Sequence, residues 1–203
     1  IGGDTAYDMN KRLDGDIFSK NPTVLMVTFG MNDSGYYEYN GDNAKEFGEQ
    51  KYQESIKNFQ QMEKRFKELP HTRIVMTGTS PYGETAQIKD NTVFKKKNET
   101  IKRIIEYQRE SAARNGWEFT DWNAPMVAIN QELQQKDPSF TLCGNDRIHP
   151  DNDGHMVMAY LFLKAQGFAG KDVANMEINA NKKQAVKAEG CTISNIKKIG
   201  KDI

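Results

Sequence analysis

Cysteine and histidine are scarce in this chain of 203 residues, with two of the first and three of the second. Net charge is absent as well, because 28 Lys+Arg balance 28 Asp+Glu. That balance removes any overall electrostatic drive toward nucleic acid or an anionic membrane. No apolar run approaches the length of a bilayer span; Val24 to Val27 is typical. No N-terminal stretch reads as a signal peptide. Cys143 and Cys191 lie far apart and form no metal motif. A disulfide between them stays open, since the bond needs a Cβ geometry that sequence does not show. Asp151-Asn152-Asp153-Gly154 has the opening of a calcium loop without its later ligands or closing Glu, and reads as a helix N-cap. No Gly-rich phosphate loop follows any strand, which argues against a nucleotide-binding flavodoxin-like protein. No cofactor is implied. Only 37% of residues are hydrophobic, yet 10% aromatics and clear apolar runs exclude disorder.

The runs that are present alternate in type. Thr5 to Ser19 reads as a helix, broken by Asn21-Pro22. Thr23 to Phe29 is short, apolar and β-branched, and predicts a strand buried on both faces, the kind found in parallel sheets. Tyr52, Ile56, Phe59, Met62 and Phe66 recur at helical spacing within a helix from about Glu46 to Leu69, closed by Pro70. Arg73 to Thr77 predicts a second buried strand. Asn91 to Arg114 predicts a helix stopped by Gly116, and Trp117 to Asp121 a third strand. Shorter helices follow over Pro125 to Gln135 and Gly154 to Lys164. Strand and helix in alternation imply an α/β fold, a three-layer α/β/α sandwich with a parallel sheet, over residues 1–169. Residues 170–203 change character. Val173 to Ile178, Ala185 to Ala188 and Cys191 to Ile196 read as a small C-terminal β appendage with a turn at Asn179 to Lys183. The end, Lys197 to Ile203, does not look like a finished domain. Lys95-Lys96-Lys97 and Lys182-Lys183 read as solvated faces.

Two constellations carry chemistry. Gly30-Met31-Asn32-Asp33 closes the first predicted strand, and ligands bind at the C-terminal ends of parallel strands. The Asn32 amide could face a developing negative charge; a plain Gly/Asn/Asp turn is the alternative. In Asp146-Arg147-Ile148-His149-Pro150, a carboxylate three residues before a histidine can hold its Nδ1–H and leave Nε2 as a general base. An exposed loop histidine beside a helix cap is the alternative.

Together these segments resemble the SGNH hydrolases, or GDSL esterases and lipases. The third block of that family, Gly-x-Asn-Asp after a strand, corresponds to Gly30 to Asp33, and its fifth, Asp-x-x-His-Pro before the last helix, to Asp146 to Pro150. Its second-block glycine corresponds to Gly3 in Gly3-Asp4-Thr5. The resemblance spans about residues 1 to 167. It implies a serine ester hydrolase working through an acyl-enzyme without a metal. His149 would be the base, Asp146 its orienting carboxylate, and Gly3 and Asn32 the oxyanion donors.

The family's nucleophile stands in Gly-Asp-Ser, and no serine here follows Gly-Asp. Ser80, after Thr77-Gly78-Thr79, is the best placed of those present. The expectation is therefore a fragment, inactive alone, whose first strand and serine come from an N-terminal polypeptide segment carrying Gly-Asp-Ser. Without that strand, Thr23 to Phe29 would present an apolar edge. Asp33, Tyr36 and Tyr82 are expected to face the substrate. A polar loop rich in Tyr, Asn, Gly and Asp at Ser34 to Asp42, and a second at Ser80 to Asn91 that adds Tyr82 and Glu84, suit a small or carbohydrate acyl ester better than a long acyl chain. The alternatives are a non-catalytic carbohydrate-binding module derived from the same fold, and a lysophospholipase or thioesterase. The resemblance also implies a secreted or periplasmic bacterial enzyme.

Overall fold

The structure, a computed structural model, describes residues 1–89, 92–197 and 199. The chain divides into two compact units, Ile1–Gln166 and Gly167–Ile203.

The first unit opens with helix α1 (Ala6–Asp16). Its first turn is stapled by Asp8, whose carboxylate accepts the Thr5 N–H at 3.1 Å and the Thr5 hydroxyl at 2.6 Å. The expected extension to Ser19 is instead a separate 3₁₀ turn, Phe18–Lys20, ended by Asn21 in the left-handed region. Strand β1 (Val24–Phe29), helix α2 (Ala44–Phe66), strand β2 (Arg73–Gly78), helix α3 (Lys97–Asn115) and strand β3 (Glu118–Asp121) follow. Helices α4 (Asn123–Leu133) and α5 (Asn152–Ala165) complete the unit. The three strands form a parallel sheet in the order β1-β2-β3, with Leu25 opposite Ile74 and Val27 opposite Met76. These four side chains share one face of the sheet. They pack on Leu13 of α1, Phe59, Met62 and Phe66 of α2 and Ile104 of α3. This is the expected α2 stripe, and it makes the main core. Helix α5 lies against β3.

Two expectations need correction. Strand β1 is not buried on both faces: Leu25, Val27 and Phe29 point inward, but Val24 and Met26 are half exposed. The cause is position. β1 lies at the sheet edge with β2 its only described neighbour, and helices cover just one of its faces. The two-sided burial belongs to β2, whose Ile74, Val75, Met76 and Thr77 are all inside. Helix α3 also begins later than expected. Asp90 and Asn91 lie outside the described residues, and residues 92–96 are not helical. The Glu84 carboxylate accepts the N–H groups of Lys96 (2.5 Å) and Asn98 (3.3 Å), which fixes the helix start there.

The second unit is an antiparallel hairpin of β4 (Asn175–Asn179) and β5 (Gln184–Glu189), turned through Lys182, whose N–H meets the Asn179 side chain at 2.9 Å. The third expected strand, Cys191 to Ile196, does not form. Met176, Ile178 and Val186 all stay exposed, so the hairpin presents no buried face for a third strand to join. Of the closing run from Lys197 on, only residues 197 and 199 are described. Both cysteines are free thiols, Cys143 buried and Cys191 partly so.

This division of the core sets an expected contrast. Phe59→Ala, at a fully buried position, should lower unfolding free energy by about 3–5 kcal/mol. Val186→Ala on the exposed hairpin should change it by less than about 0.5 kcal/mol. Urea denaturation followed by circular dichroism measures both.

Candidate active site

The chain leaves β1 through Gly30, whose φ of +130° is a conformation that L side chains rarely adopt. The turn that follows is organised around Asp33. Its carboxylate accepts the Gly30 N–H at 3.1 Å, the Ala6 N–H at 3.0 Å and the Ser55 hydroxyl at 3.0 Å. Asp33 is buried, and burial pushes its carboxyl up against the pull of those three donors. The expectation that Asp33 faces substrate is therefore corrected: both oxygens point inward and hold the turn.

The Ala6 bond also fixes where the N-terminal segment lies. The Asn32 side chain donates through Nδ2 to the Asp4 carbonyl at 3.0 Å, so Gly3-Asp4 and Asn32 are neighbours. The Tyr36 hydroxyl donates to Asn32 Oδ1 at 2.5 Å. With its oxygen occupied by Tyr36, the amide has its nitrogen end on the Gly3 side, and one Nδ2–H remains beyond the bond to Asp4. Gly3 itself is exposed, with φ +83°.

The second constellation sits in the loop before α5. His149 Nδ1 lies 2.6 Å from Asp146 Oδ2, while Asp146 Oδ1 accepts the N–H groups of Ile148 and His149, each at 2.9 Å. Burial pushes the Asp146 carboxyl up. The His149 ring and the two backbone donors outweigh it and hold the group below the usual carboxylate range. An ionised carboxylate on Nδ1 fixes the tautomer with the proton there and leaves Nε2 as the basic nitrogen. The His149 side chain is 82% exposed, so Nε2 is open to a substrate.

Shared packing and charge draw these two groups together. Ile148, next to His149, packs on the same cluster of Tyr82, Phe94, Ile101 and Ile105 as Met31 and Tyr36. The Tyr36 phenol is pushed up to about 12, first by burial and then by the negative charges of Asp146 and Asp33. Tyr36 thus touches Asn32 and feels Asp146. Tyr82, expected at the substrate face, is corrected to a core residue. It is only 2% exposed, and its hydroxyl accepts the Phe94 N–H at 3.0 Å. Its ring was needed to close the aromatic cluster. The exposed ring here is Tyr37, edge-on to Phe94 at 5.4 Å.

Two further residues escaped the sequence reading. Arg147 is 1% exposed, with φ +69°, and its guanidinium donates to the Gly83 and Ala86 carbonyls at 2.7 Å each. It straps the His149 loop to the loop after β2. Lys97, read as part of a solvated run, is fully buried. Its Nζ donates to Met31 O (2.7 Å), Gly35 O (2.5 Å) and Ser34 Oγ (2.5 Å). One signal could have found it: Lys97, Ile101, Ile104 and Gln108 fall on one helical stripe. A lysine bonded to a serine can form a nucleophile–base pair. Ser34 is fully buried and its hydroxyl is already given to the Met31 carbonyl, so that pair cannot meet a substrate. Ser80 is likewise buried. No cluster of metal-binding side chains occurs among the described residues.

The sequence of residues 1–157 matches the family model of the GDSL-like Lipase/Acylhydrolase family. Among solved structures, a catalytic mutant of Axe2, an acetylxylan esterase from Geobacillus stearothermophilus, aligns with a TM-score of 0.60 at 22% identity, covering 82% of this chain and 69% of that one. The acetyl xylan esterase AlAXEase aligns with a TM-score of 0.59 at 22% identity, covering 81% of this chain and 77% of that one. No curated protein matches the sequence. The structural likeness bears out the α/β fold with its parallel sheet, and the match over most of the sequence goes further: this chain belongs to the GDSL-like lipase/acylhydrolase family of ester hydrolases.

Proposed function

We propose that residues 1–166 carry the base and the oxyanion donors of a serine esterase that removes small acyl groups from carbohydrates. The observation that carries this reading is the His149–Asp146 pair at 2.6 Å, with an exposed ring, whose neighbour Ile148 packs on the same aromatic cluster as Tyr36, the partner of Asn32. A binding pocket has no need of an oriented base.

In the proposed reaction a serine Oγ attacks the ester carbonyl carbon while His149 Nε2 takes its proton. The carbonyl oxygen becomes an oxyanion that accepts hydrogen bonds from the Gly3 N–H and the Asn32 Nδ2–H. The C–O bond then breaks, and His149 returns the proton to the leaving alcohol. Water, deprotonated by the same nitrogen, releases the acid from the acyl-enzyme. Asp146 keeps the imidazolium oriented throughout. Catalytic mutants of the Axe2 esterase include replacements of an aspartate and of a histidine three positions later, the spacing found here.

The nucleophile in this proposal belongs to a Gly-Asp-Ser segment outside residues 1–203. Ser34, Ser55, Ser80 and Ser111 are buried, and Ser139 is bonded to Asp137 at 2.7 Å. The same burial favours the second reading, a carbohydrate-binding module without hydrolysis. For the substrate class, the exposed Tyr37 ring beside polar loops gives a flat face of the kind sugars stack on. Both aligned enzymes are described as acetylxylan esterases.

Three substitutions test the reading in the protein joined to its serine segment, with acetate release from p-nitrophenyl acetate and from an acetylated xylo-oligosaccharide as the assays. His149→Ala should lower kcat by at least about 10³-fold without loss of fold. Asp146→Asn should lower kcat by about 10²–10⁴-fold at little change in KM, because the imidazole loses its tautomer and orientation. Asn32→Ala should cost about 10²–10³-fold in kcat, or about 3 kcal/mol. Residues 1–203 alone should release no acetate. Full turnover by the His149 variant would overturn the catalytic assignment. Tight sugar binding with no turnover in any form would establish the binding module instead.

A further inference from the structure

We propose that Lys97 is a positioning residue for the oxyanion donor, holding the Asn32 amide in place through the Met31–Tyr36 turn. The inference deepens the esterase reading and rests on it for its kinetic part.

Lys97 occupies the first helical position of α3, behind the turn that follows β1. A cation is disfavoured there twice, by burial and by the positive end of the helix dipole. What compensates is a cage of three oxygens that matches the three N–H bonds of an ammonium: the carbonyls of Met31 and Gly35 and the Ser34 hydroxyl. These groups come from the residues that flank and follow Asn32. Nζ also lies 3.9 Å from the centre of the Tyr36 ring. Tyr36 in turn gives its hydroxyl to Asn32 Oδ1. Lys97 therefore grips the turn on both sides of Asn32 and the ring that fixes the amide.

The charged and titratable groups facing this ammonium come from two other elements. Asp33 and Tyr36 belong to the turn after β1, and Tyr82, with its ring centre 5.9 Å away, to the loop after β2. Asp33 holds Lys97 charged, but burial is the larger effect and pulls its pKa down to about 7. A folded-state pKa below the unfolded 10.5 means that the folded protein binds fewer protons between those values. Stability from this group accordingly rises as pH increases through that window.

The test uses Lys97→Met and Tyr36→Phe, singly and each combined with Asn32→Ala, in the protein carrying the serine segment. Both single variants should lower kcat by about 10–100-fold with KM nearly unchanged, as expected when a donor is displaced by a fraction of an ångström to an ångström. In the Asn32→Ala background neither should cost anything further, since the group they position is gone. A purely structural contribution would instead add in full. The side-chain amide resonances of Asn32 should move with pH near neutrality in the parent and stay still in Lys97→Met. The gain in stability from pH 7 toward pH 10 should likewise vanish in Lys97→Met. Tyr36→Phe keeps the cage intact, so it tests the link to Asn32 even if the lysine variant fails to fold. Additive kinetic losses, or an Asn32 amide indifferent to both substitutions, would overturn the proposal. A parent protein without esterase activity would defeat the catalytic reading alone, and the amide resonances would still decide whether Lys97 positions Asn32.

Discussion

The structure around the site depends on one buried carboxylate. Asp33 receives the Gly30 N–H, the Ala6 N–H and the Ser55 hydroxyl, and so joins the end of β1, the start of α1 and the middle of α2 at a single point. Hydrogen bonds to a charged group contribute about 1.5–3 kcal/mol each. Three of them offset part of the cost of keeping the carboxylate out of water, and burial still leaves its carboxyl raised. The geometric result matters more than the energy. Ala6 is pinned three residues after Gly3, and Asn32 is next to Asp33, so the two proposed oxyanion donors are brought side by side by a buried residue behind them.

The loop that presents His149 is held by different means toward the same end. The ring is exposed, yet the backbone under it is fixed from inside. Arg147 reaches through the protein to two carbonyls of the neighbouring loop, and its own carbonyl accepts the Gly83 N–H at 2.8 Å. Cys143 adds a contact from its thiol to the Pro81 carbonyl at 3.0 Å. Gly144 turns with φ +66°, and a Cβ there would lie 2.5 Å from the His149 carbonyl oxygen, so only glycine lets the loop close on itself. The two halves of the site then meet on a shared aromatic surface, Tyr82 stacked on Phe94 with Tyr36 at its edge.

The sequence reading succeeded where local rules act. Periodicity located α2 and its buried stripe, Gly116 stopped α3, and the Asp146–His149 spacing correctly anticipated a carboxylate–imidazole bond. It failed where position in the sheet or reach across the fold decides. Val24 and Met26 look like core residues, but an edge strand with one covered face leaves them in water. Tyr82 looks like a sugar platform in a polar loop, but its ring is drawn into the cluster around Phe94. Asp33 reads as a residue facing the substrate, and nothing local says that its oxygens turn inward to donors from α1 and α2. Lys97 was hidden by composition: a run of three lysines resembles a solvated face, and only its phase against Ile101 and Ile104 betrays it.

These misreadings have a common physical origin. The ion pairs of this protein lie largely at the surface, such as Arg73 with Glu118 and Arg109 with Asp121, where each contributes little. The charges buried deepest beside the site, Asp33, Lys97 and Arg147, bind mostly main-chain groups. Turns at the ends of parallel strands leave backbone N–H and C=O groups with no ladder partner, and a buried group of that kind must be satisfied. A single carboxylate can take several N–H groups, and a single ammonium or guanidinium several carbonyls. One charged side chain reaching in from another element thus satisfies a whole turn and fixes its shape. In the proposed reaction the arrangement serves catalysis, because the turns so fixed are those that bear Asn32 and His149. It is also why composition conceals it: the residues that build the site's frame are of the same types as those that solvate the surface.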